Sequence, residues 1–401
     1  MKKFLLTFVV MLLSLPAFAL EFSVEFQWGI LNFTLLDENN NEVIISSSEN
    51  ISGDIEIPAY VNYGADKVVR YQVSQISDYA FISSDKLTSV TIPEGVTYIG
   101  DWSFSCCSNL TSVFISDDIT SIGYGAFDGC SCLTSVSIPH SVISIGPYIF
   151  ARCSNLTSVS IPDGITTISD GAFYGCNNLT SVNIPDSVTS IGARAFYGCC
   201  NLATVSIPDG VTYIGELSFY GCSCLTSVSI PHGVTTISDG AFYGCSGLIQ
   251  LTIPKSVSSI GQRAFLGCSR LSSVTIPEGI TFIGEEAFQW SLELTSITYL
   301  ADQPIEGFSN IFYYLTYERA TLHMSEIGVE ASKNIEPWKS FENIQVYNSS
   351  SIKDVISDID NNAPYIVLTI NGLETTNSIN NLPPGIYIIC QSNTVKKIVV
   401  K

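Results

Sequence analysis

Apolar residues recur along this chain with a period of 23 residues. The leucine column runs from Leu87 to Leu294 without a single insertion. A phenylalanine column keeps the same step, at Phe104, Phe127, Phe150, Phe173, Phe196, Phe219, Phe242, Phe265 and Phe288. A fixed period of this length indicates a stack of repeated supersecondary units. We call each unit a rung and each recurring position a column.

Each rung begins with the pattern of a short strand. In the rung that starts at Leu225, Val228 and Ile230 alternate with hydroxyl residues, which is the period of a half-buried strand. Pro231 follows directly. Because proline has no N–H to donate to a strand ladder, it marks the end of this strand.

The rest of the same rung predicts a second strand and a turn. Residues 234–237 read as a second short strand, which the small residue Ser238 ends. Residues 241–245 predict a tight helical or 3₁₀ turn that directs Phe242 into the interior. One rung buries too little apolar surface to fold alone, so neighbouring rungs have to stack leucine on leucine and phenylalanine on phenylalanine.

The repeat unit carries a family resemblance. Residues 156–176, LTSVSIPDGITTISDGAFYGC, resemble the 23-residue leucine-rich repeat of BspA-like surface proteins. The resemblance implies a β-rich solenoid of the α/β class, a curved right-handed stack of rungs with parallel strands and a cap at each end. We expect an N-terminal cap at 20–52 and the solenoid with its C-terminal cap at 53–347. The first rung is irregular because residues 59–71 are longer than the template.

The two ends of the chain carry different signals. Residues 1–19 combine two lysines, an apolar run and an Ala-Phe-Ala ending, which is typical of a cleaved signal peptide. Polar residues 348–351 predict a linker before a small β-module at 352–401, which has three strand-like runs. Its ending, PPGIYII…KKIVVK, resembles the C-terminal sorting domain of type IX secretion substrates. We therefore expect a secreted, extracellular or outer-surface protein without a membrane span.

Charge and motif content exclude several function classes. The chain has 17 Lys+Arg against 37 Asp+Glu, a net charge of −20, which disfavours binding to nucleic acid. His140 and His232 lie four rungs apart in one column. At about 4.8 Å per rung they are roughly 19 Å apart and cannot share a metal. Serine-hydrolase, zinc-peptidase and phosphate-loop motifs do not occur. We predict no enzyme activity, no catalytic residues, no cofactor and no metal site.

The cysteines allow two interpretations. Eight of the 13 cysteines form one column, at Cys107, Cys130, Cys153, Cys176, Cys199, Cys222, Cys245 and Cys268. Neighbouring rungs are close enough for disulfides, and an exported chain meets oxidising conditions. However, side chains in one column point in parallel, and free cysteine is among the most buried residue types. The pattern therefore favours a ladder of buried thiols.

The surface offers one column that the inward pattern does not require. Tyrosines occupy it on four consecutive rungs, at Tyr174, Tyr197, Tyr220 and Tyr243. We take them as candidate partner-binding residues, since extended repetitive surfaces suit long partners. Two alternatives stay open: the tyrosines pack as a structural ridge, or the Thr-Ser pairs that begin each rung form the contact face.

The family resemblance implies a secreted or cell-surface adhesion and interaction module. Its partner would be an extended protein or glycoprotein, such as a host matrix protein or a component of another cell. The alternative function is a structural or self-assembling envelope component without a specific ligand. The sequence specifies neither the identity of the partner nor the oligomeric state.

Overall fold

The computed structural model describes residues 20–37, 39–64 and 68–346, together with the backbone of four strands between residues 366 and 400. The chain forms a parallel-strand β-solenoid of about 12 turns with a spacing of about 23 residues, which confirms the predicted solenoid. The predicted signal peptide at 1–19 and the predicted linker at 348–351 lie outside the described residues.

Six strands build the N-terminal end: β1 (Glu21–Phe26), β2 (Gly29–Asp37), β3 (Glu42–Glu49), β4 (Gly53–Glu56), β5 (Tyr60–Tyr63) and β6 (Val69–Ile76). β1, β2 and β3 pair antiparallel in that order, and β3 then runs parallel to β6. β5 pairs antiparallel with β6, so a hairpin accommodates most of the irregular residues of the first rung. β1, β2 and β3 thus continue the sheet of second strands beyond its first solenoid strand, in the order β1-β2-β3-β6-β8.

Each regular rung contributes a longer first strand and a two-residue second strand. The first strands are β7 (Leu87–Ile92), β9 (Ser112–Ile115), β11 (Ser135–Ser137), β13 (Ser158–Ser160), β15 (Ser181–Asn183), β17 (Thr204–Ser206), β19 (Ser227–Ser229), β21 (Gln250–Thr252), β23 (Ser273–Ile276) and β25 (Ser296–Tyr299). The second strands are β8 (Tyr98–Ile99), β10 (Ser121–Ile122), β12 (Ser144–Ile145), β14 (Thr167–Ile168), β16 (Ser190–Ile191), β18 (Tyr213–Ile214), β20 (Thr236–Ile237), β22 (Ser259–Ile260) and β24 (Phe282–Ile283).

The register of the parallel pairs follows the sequence period. Val136 of β11 lies opposite Val159 of β13, and Ile168 of β14 lies opposite Ile191 of β16. Each residue therefore meets the residue 23 positions further on, so every column in the sequence becomes a straight row in the structure.

The segment after each second strand differs from the predicted helical turn. Two positions in every regular rung have positive φ, as at Trp102 (φ 55°) and Cys106 (φ 60°). A right-handed helical turn requires negative φ, so these residues exclude it. Instead, alternate N–H groups donate to the next rung, with Trp102 N to Tyr124 O at 2.7 Å and Phe104 N to Ala126 O at 2.8 Å. Consecutive tight turns thus remain hydrogen-bonded along the stack.

The core consists of stacked rows of identical side chains. Every phenylalanine of the column is fully buried, and successive rings from Phe81 to Phe288 lie 4.8–5.9 Å apart with interplanar angles of 2–18°. The leucine column from Leu87 to Leu294 is at most 2% exposed. The predicted stacking of leucine on leucine and phenylalanine on phenylalanine is confirmed.

The C-terminal end of the solenoid consists of irregular rungs. Its elements are α1 (Tyr314–Arg319), β26 (Thr321–Met324), α2 (Glu326–Ser332), a 3₁₀ turn at Trp338–Ser340 and β27 (Asn343–Val346). β26 and β27 extend the row of first strands in parallel. Trp338 is fully buried there, and its indole Nε1 donates to Ile305 O at 2.8 Å.

The final segment contains four strands: β28 (Ile366–Thr369), β29 (Glu374–Thr376), β30 (Gly385–Gln391) and β31 (Thr394–Val400). They pair antiparallel in the order β29-β28-β30-β31. β28, β30 and β31 overlap the three predicted strand-like runs, and β29 is additional.

Candidate binding surface

The four column tyrosines stack on one another at the surface. Ring centroids are 4.7 Å apart between Tyr174 and Tyr197 and 4.3 Å apart between Tyr197 and Tyr220, with interplanar angles of 10° and 5°. Tyr243 meets Tyr220 edge to face at 4.8 Å. All four side chains are half-buried. Because the ring faces cover each other, the stack presents ring edges and hydroxyl groups to solvent.

Three further aromatic residues extend this stack toward the N-terminus. We call the complete set the aromatic ladder, with one residue on each of seven rungs: Trp102, Tyr124, Tyr148, Tyr174, Tyr197, Tyr220 and Tyr243. Its first members are separated by 4.9 Å (Trp102 to Tyr124), 5.4 Å (Tyr124 to Tyr148) and 6.4 Å (Tyr148 to Tyr174). Six steps of about 4.8 Å make the ladder roughly 29 Å long.

Trp102, Tyr124 and Tyr148 lie outside the column of the four tyrosines, so the recurrence of tyrosine in that column does not predict them. Trp102 and Tyr148 occupy the first positive-φ position of their rungs, whereas the four tyrosines occupy a position three residues later. One sequence signal was present: every rung from the one with Trp102 to the one with Tyr243 carries an aromatic residue in its turn segment besides the core phenylalanine.

Glycines on the next rung make room for the large residues. An added Cβ would lie 2.6 Å from the Trp102 ring at Gly125, 2.4 Å from the Tyr148 ring at Gly171 and 2.5 Å from Leu217 at Gly240. The large side chain of one rung therefore lies over a glycine of the following rung. Because the Tyr148 ring lies over the following rung, its centroid is 6.4 Å from that of Tyr174, although the two residues belong to different columns.

This packing predicts a coupled pair of substitutions. Gly171→Ala should lower the free energy of unfolding by about 1–3 kcal/mol, because the new methyl group overlaps the Tyr148 ring. Part of this cost comes from the left-handed backbone at Gly171 (φ 60°), which strains any side chain in either background. In a Tyr148→Ala background the overlap is gone and only that strain remains, so the same substitution should cost about 1 kcal/mol less. Urea denaturation of the four proteins of this double-mutant cycle measures the coupling, and strictly additive effects would contradict the packing.

An ion pair between buried Asp128 and exposed Arg152 lies where the tyrosine column is interrupted. Asp128 occupies the tyrosine position two rungs before Tyr174, and its side chain is only 2% exposed. It pairs with Arg152, while its Oδ1 has no hydrogen-bond partner among the described residues. Burial raises the pKa of Asp128, and the charge of Arg152 opposes that rise. The carboxylate thus depends on one exposed arginine for compensation.

Burial also affects the tyrosine hydroxyls. The pKa of Tyr197 is raised first by burial and then by its neighbour Tyr220, both through charge and through a hydrogen bond between the two side chains. The pKa of Tyr124 is raised by burial and by the nearby Tyr148 and Asp128. The hydroxyls of Tyr124 and Tyr197 therefore stay protonated over the physiological range and can both donate and accept hydrogen bonds.

The cysteine column is fully buried, as predicted. All eight thiols are 0% exposed and are free cysteines. Each donates to the phenylalanine carbonyl of the preceding rung, as Cys107 does to Phe81 O at 3.2 Å and Cys176 to Phe150 O at 3.1 Å. Burial raises the pKa of Cys107 and Cys245 to about 12. These thiols are part of the core and are not accessible to a binding partner.

The Thr-Ser face uses its hydroxyls for stacking. Thr111 Oγ1 donates to Thr88 O at 2.9 Å, and Thr157 Oγ1 donates to Thr134 O at 3.0 Å. Because these hydroxyls donate to carbonyls of the preceding rung, they are less available to a partner than the side chains of the aromatic ladder are. Of the two candidate faces, the ladder has the larger side chains available for contact.

The described residues contain no group of three or more His, Cys, Asp or Glu side chains placed to hold a metal ion. Within them, no helix has the length and apolar character needed to cross a membrane.

Comparison with known proteins identifies the repeat. A family model described as the BspA type leucine rich repeat region matches residues 74–203 and 189–318, with six copies. None of the curated proteins compared with the chain matches it significantly.

Several solved structures resemble the chain. A leucine rich cell surface protein from Faecalibacterium prausnitzii is 28% identical, with a TM-score of 0.49, over 83% of this chain and 96% of that one. The pneumococcal vaccine antigen PcpA is 18% identical, with a TM-score of 0.51, over 81% and 98%. A leucine-rich repeat protein from Bacteroides ovatus is 23% identical, with a TM-score of 0.45, over 79% and 98%. The likeness to the pneumococcal protein supports the solenoid fold.

Proposed function

Because this chain belongs to the BspA type leucine rich repeat family, we propose that it is a secreted or cell-surface interaction module. It binds an extended protein or glycoprotein partner through its repeat surface, and it carries out no catalysis. Export is supported by the signal-peptide pattern of residues 1–19, and the β-module at 352–401 serves as the sorting segment.

The aromatic ladder is the observation that carries this proposal. The phenylalanine column already fills the core, with each of its rings fully buried. The ladder adds a second row of aromatic residues that the core does not need and leaves them half-exposed over seven rungs. Large amphipathic side chains of this kind supply most of the binding energy in many interfaces. A row roughly 29 Å long suits a partner that is itself extended.

The proposal predicts a loss of binding on truncation of the ladder. The double variant Tyr197→Ser/Tyr220→Ser should weaken capture of the partner by roughly 30-fold or more, since anchor aromatics contribute about 2 kcal/mol or more. Surface plasmon resonance against purified extracellular matrix proteins and glycoproteins would measure this effect. Thermal melting of the variant should stay cooperative.

Tyr213→Ser is the matched control, because Tyr213 is 51% exposed on β18 and lies outside the ladder. The control should bind like the wild type. Equal capture by the double variant would remove the ladder as the site. Loss of self-association in place of partner capture would favour the structural, self-assembling alternative.

A further inference from the structure

Four of the described cysteines lie outside the buried column. Cys106 and Cys224 are exposed, and Cys132 and Cys200 are partly exposed. The eight column thiols are fully buried and do not meet a reagent dissolved in the solvent. Among the described cysteines of the folded chain, solvent-borne chemistry is therefore confined to these four thiols.

Two of the four thiols lie next to each other on neighbouring rungs. Cys200 and Cys224 are 24 residues apart, one more than the repeat period. The Cys224 N–H donates to the Cys200 carbonyl at 3.0 Å. One rung step of about 4.8 Å and one residue step of about 3.8 Å place their Cα atoms roughly 6 Å apart. Disulfides join Cα atoms that are about 4.4–6.8 Å apart, so the two backbones are already in range.

The two side chains need one rotation to meet. Cys224 Sγ lies 4.0 Å from Asn201 Oδ1, so this side chain is directed back to the rung that carries Cys200. Cys200 Sγ donates to the Asn177 carbonyl at 3.7 Å, one rung further back. Rotation of Cys200 about χ1 toward the next rung gives up only this weak thiol hydrogen bond. The rotation takes place at the surface and leaves the packing of the core unchanged.

The other two accessible thiols are not placed to pair with each other. Cys106 Sγ lies over Gly129 of the next rung, where an added Cβ would be 3.5 Å from it. Cys132 follows on that rung beyond the buried Cys130. No backbone hydrogen bond of the described chain joins Cys106 to Cys132. These two residues are therefore a matched control: accessible thiols on neighbouring rungs without the contact that joins Cys200 and Cys224.

The Cys200–Cys224 pair lies beside the centre of the aromatic ladder. Cys200 follows Tyr197 by three residues, and Cys224 follows Tyr220 by four. The ring centroids of Tyr197 and Tyr220 are 4.3 Å apart, the shortest separation within the ladder. Because the stability of a repeat stack is a sum over neighbouring rungs, a covalent bond between these two rungs resists their separation.

We propose that Cys200 and Cys224 form a disulfide under the oxidising conditions outside the cell and thereby fasten the Tyr197 rung to the Tyr220 rung. The proposal rests on the exported location given in the proposed function, because extracellular thiols meet oxidants. It goes beyond that function in assigning a covalent modification site.

The oxidant is a low-molecular-weight disulfide. The Cys224 thiolate attacks one of its sulfurs, the S–S bond of the oxidant breaks, and one thiolate leaves. The Cys200 thiolate then attacks Cys224 Sγ and releases the second thiolate. The two cysteines together lose two electrons and two protons, and the oxidant takes them up as two free thiols.

The test oxidises the folded chain from residue 20 onward with glutathione disulfide. Iodoacetamide in urea then blocks every remaining thiol, and mass spectrometry maps the products. Chymotrypsin cleaves after tyrosine and leucine, so it releases residues 198–202 and 221–225 as separate peptides. The expected product is these two peptides joined by a disulfide. The single variant Cys200→Ser should abolish it, which distinguishes Cys200 from the buried Cys199 in the same peptide.

Two double variants show what the bond does. Cys200→Ser/Cys224→Asn removes the pair, and Cys106→Ser/Cys132→Asn removes the control thiols; each new residue type occurs in the same column on another rung. Oxidation of the wild type and of the control variant should slow hydrogen exchange in residues 197–225 by roughly tenfold or more, since the bond closes a loop of about 25 residues. Oxidation of the variant that lacks the pair should leave exchange unchanged.

The outcomes separate this proposal from the proposed function. The joined peptides, together with slower exchange that the pair variant lacks, support the disulfide. Glutathione that stays attached to Cys200 or Cys224, a bond from either residue to another cysteine, or exchange that the bond does not slow overturns it. Partner capture that depends on the ladder tyrosines while the disulfide fails to form keeps the proposed function and overturns only the disulfide. A disulfide that forms in a chain with no partner capture supports the modification site and overturns the binding function.

Discussion

The free energy of unfolding should fall steeply above pH 9, because the eight column thiols stay protonated in the folded chain. Burial raises the pKa of each above the ordinary value of 9.0. Unfolding exposes them, and they then release protons. The stabilisation that the protonated thiols provide is complete below pH 9. It is lost as the pH rises toward the pKa values of the thiols in the folded chain, which is about 12 for Cys107. Each thiol contributes about 1.4 kcal/mol per pH unit, so the eight together contribute roughly 11 kcal/mol per unit if the solenoid unfolds as one unit.

Urea denaturation under reducing conditions at pH 7.5, 8.5, 9.3 and 10 would measure this slope. The triple variant Cys153→Ala/Cys176→Ala/Cys199→Ala is the control, because it removes three adjacent thiols and keeps the rest of the core. It should be less stable at pH 7.5, yet its alkaline slope should be shallower by roughly three-eighths. A wild-type stability that stays level from pH 8.5 to 10 would show that the thiols are not buried in protonated form.

The sequence period predicted the architecture because stacking converts each column into a row. Leu87 and Phe104 repeat at a constant step, and in a parallel stack the residue 23 positions further on is necessarily the neighbour. Burial of the leucine, phenylalanine and cysteine columns then follows from the chemistry of the side chains. The irregular rungs at the C-terminal end were less predictable, since α1 and α2 interrupt the pattern.

The turn segment was predicted less well because its backbone is not apparent from residue type. Tyr148, Arg194 and Leu217 all adopt positive φ, although such residues rarely do. Hydrogen bonds between the backbones of neighbouring rungs stabilise this conformation for any side chain. The residue types therefore do not predict where φ is positive. The same applies to the ladder: four of its seven members were predicted from one column. Trp102 and Tyr148 join because their side chains lie over a glycine of the following rung, and Tyr124 joins through its ring contacts with both of them.

Truncation of one core ring should destabilise the solenoid far more than truncation of an exposed one. Phe196 is fully buried, with ring centroids 5.3 Å from Phe173 and 5.2 Å from Phe219, so Phe196→Ala removes two stacking contacts and opens a cavity. The expected loss is about 3–5 kcal/mol in the free energy of unfolding. Phe114→Ala is the matched control, since Phe114 is 65% exposed and should cost less than about 0.5 kcal/mol. Urea denaturation of both variants, followed by circular dichroism, gives the comparison. Similar losses in the two variants would mean that the stability of the stack does not depend on its phenylalanine row.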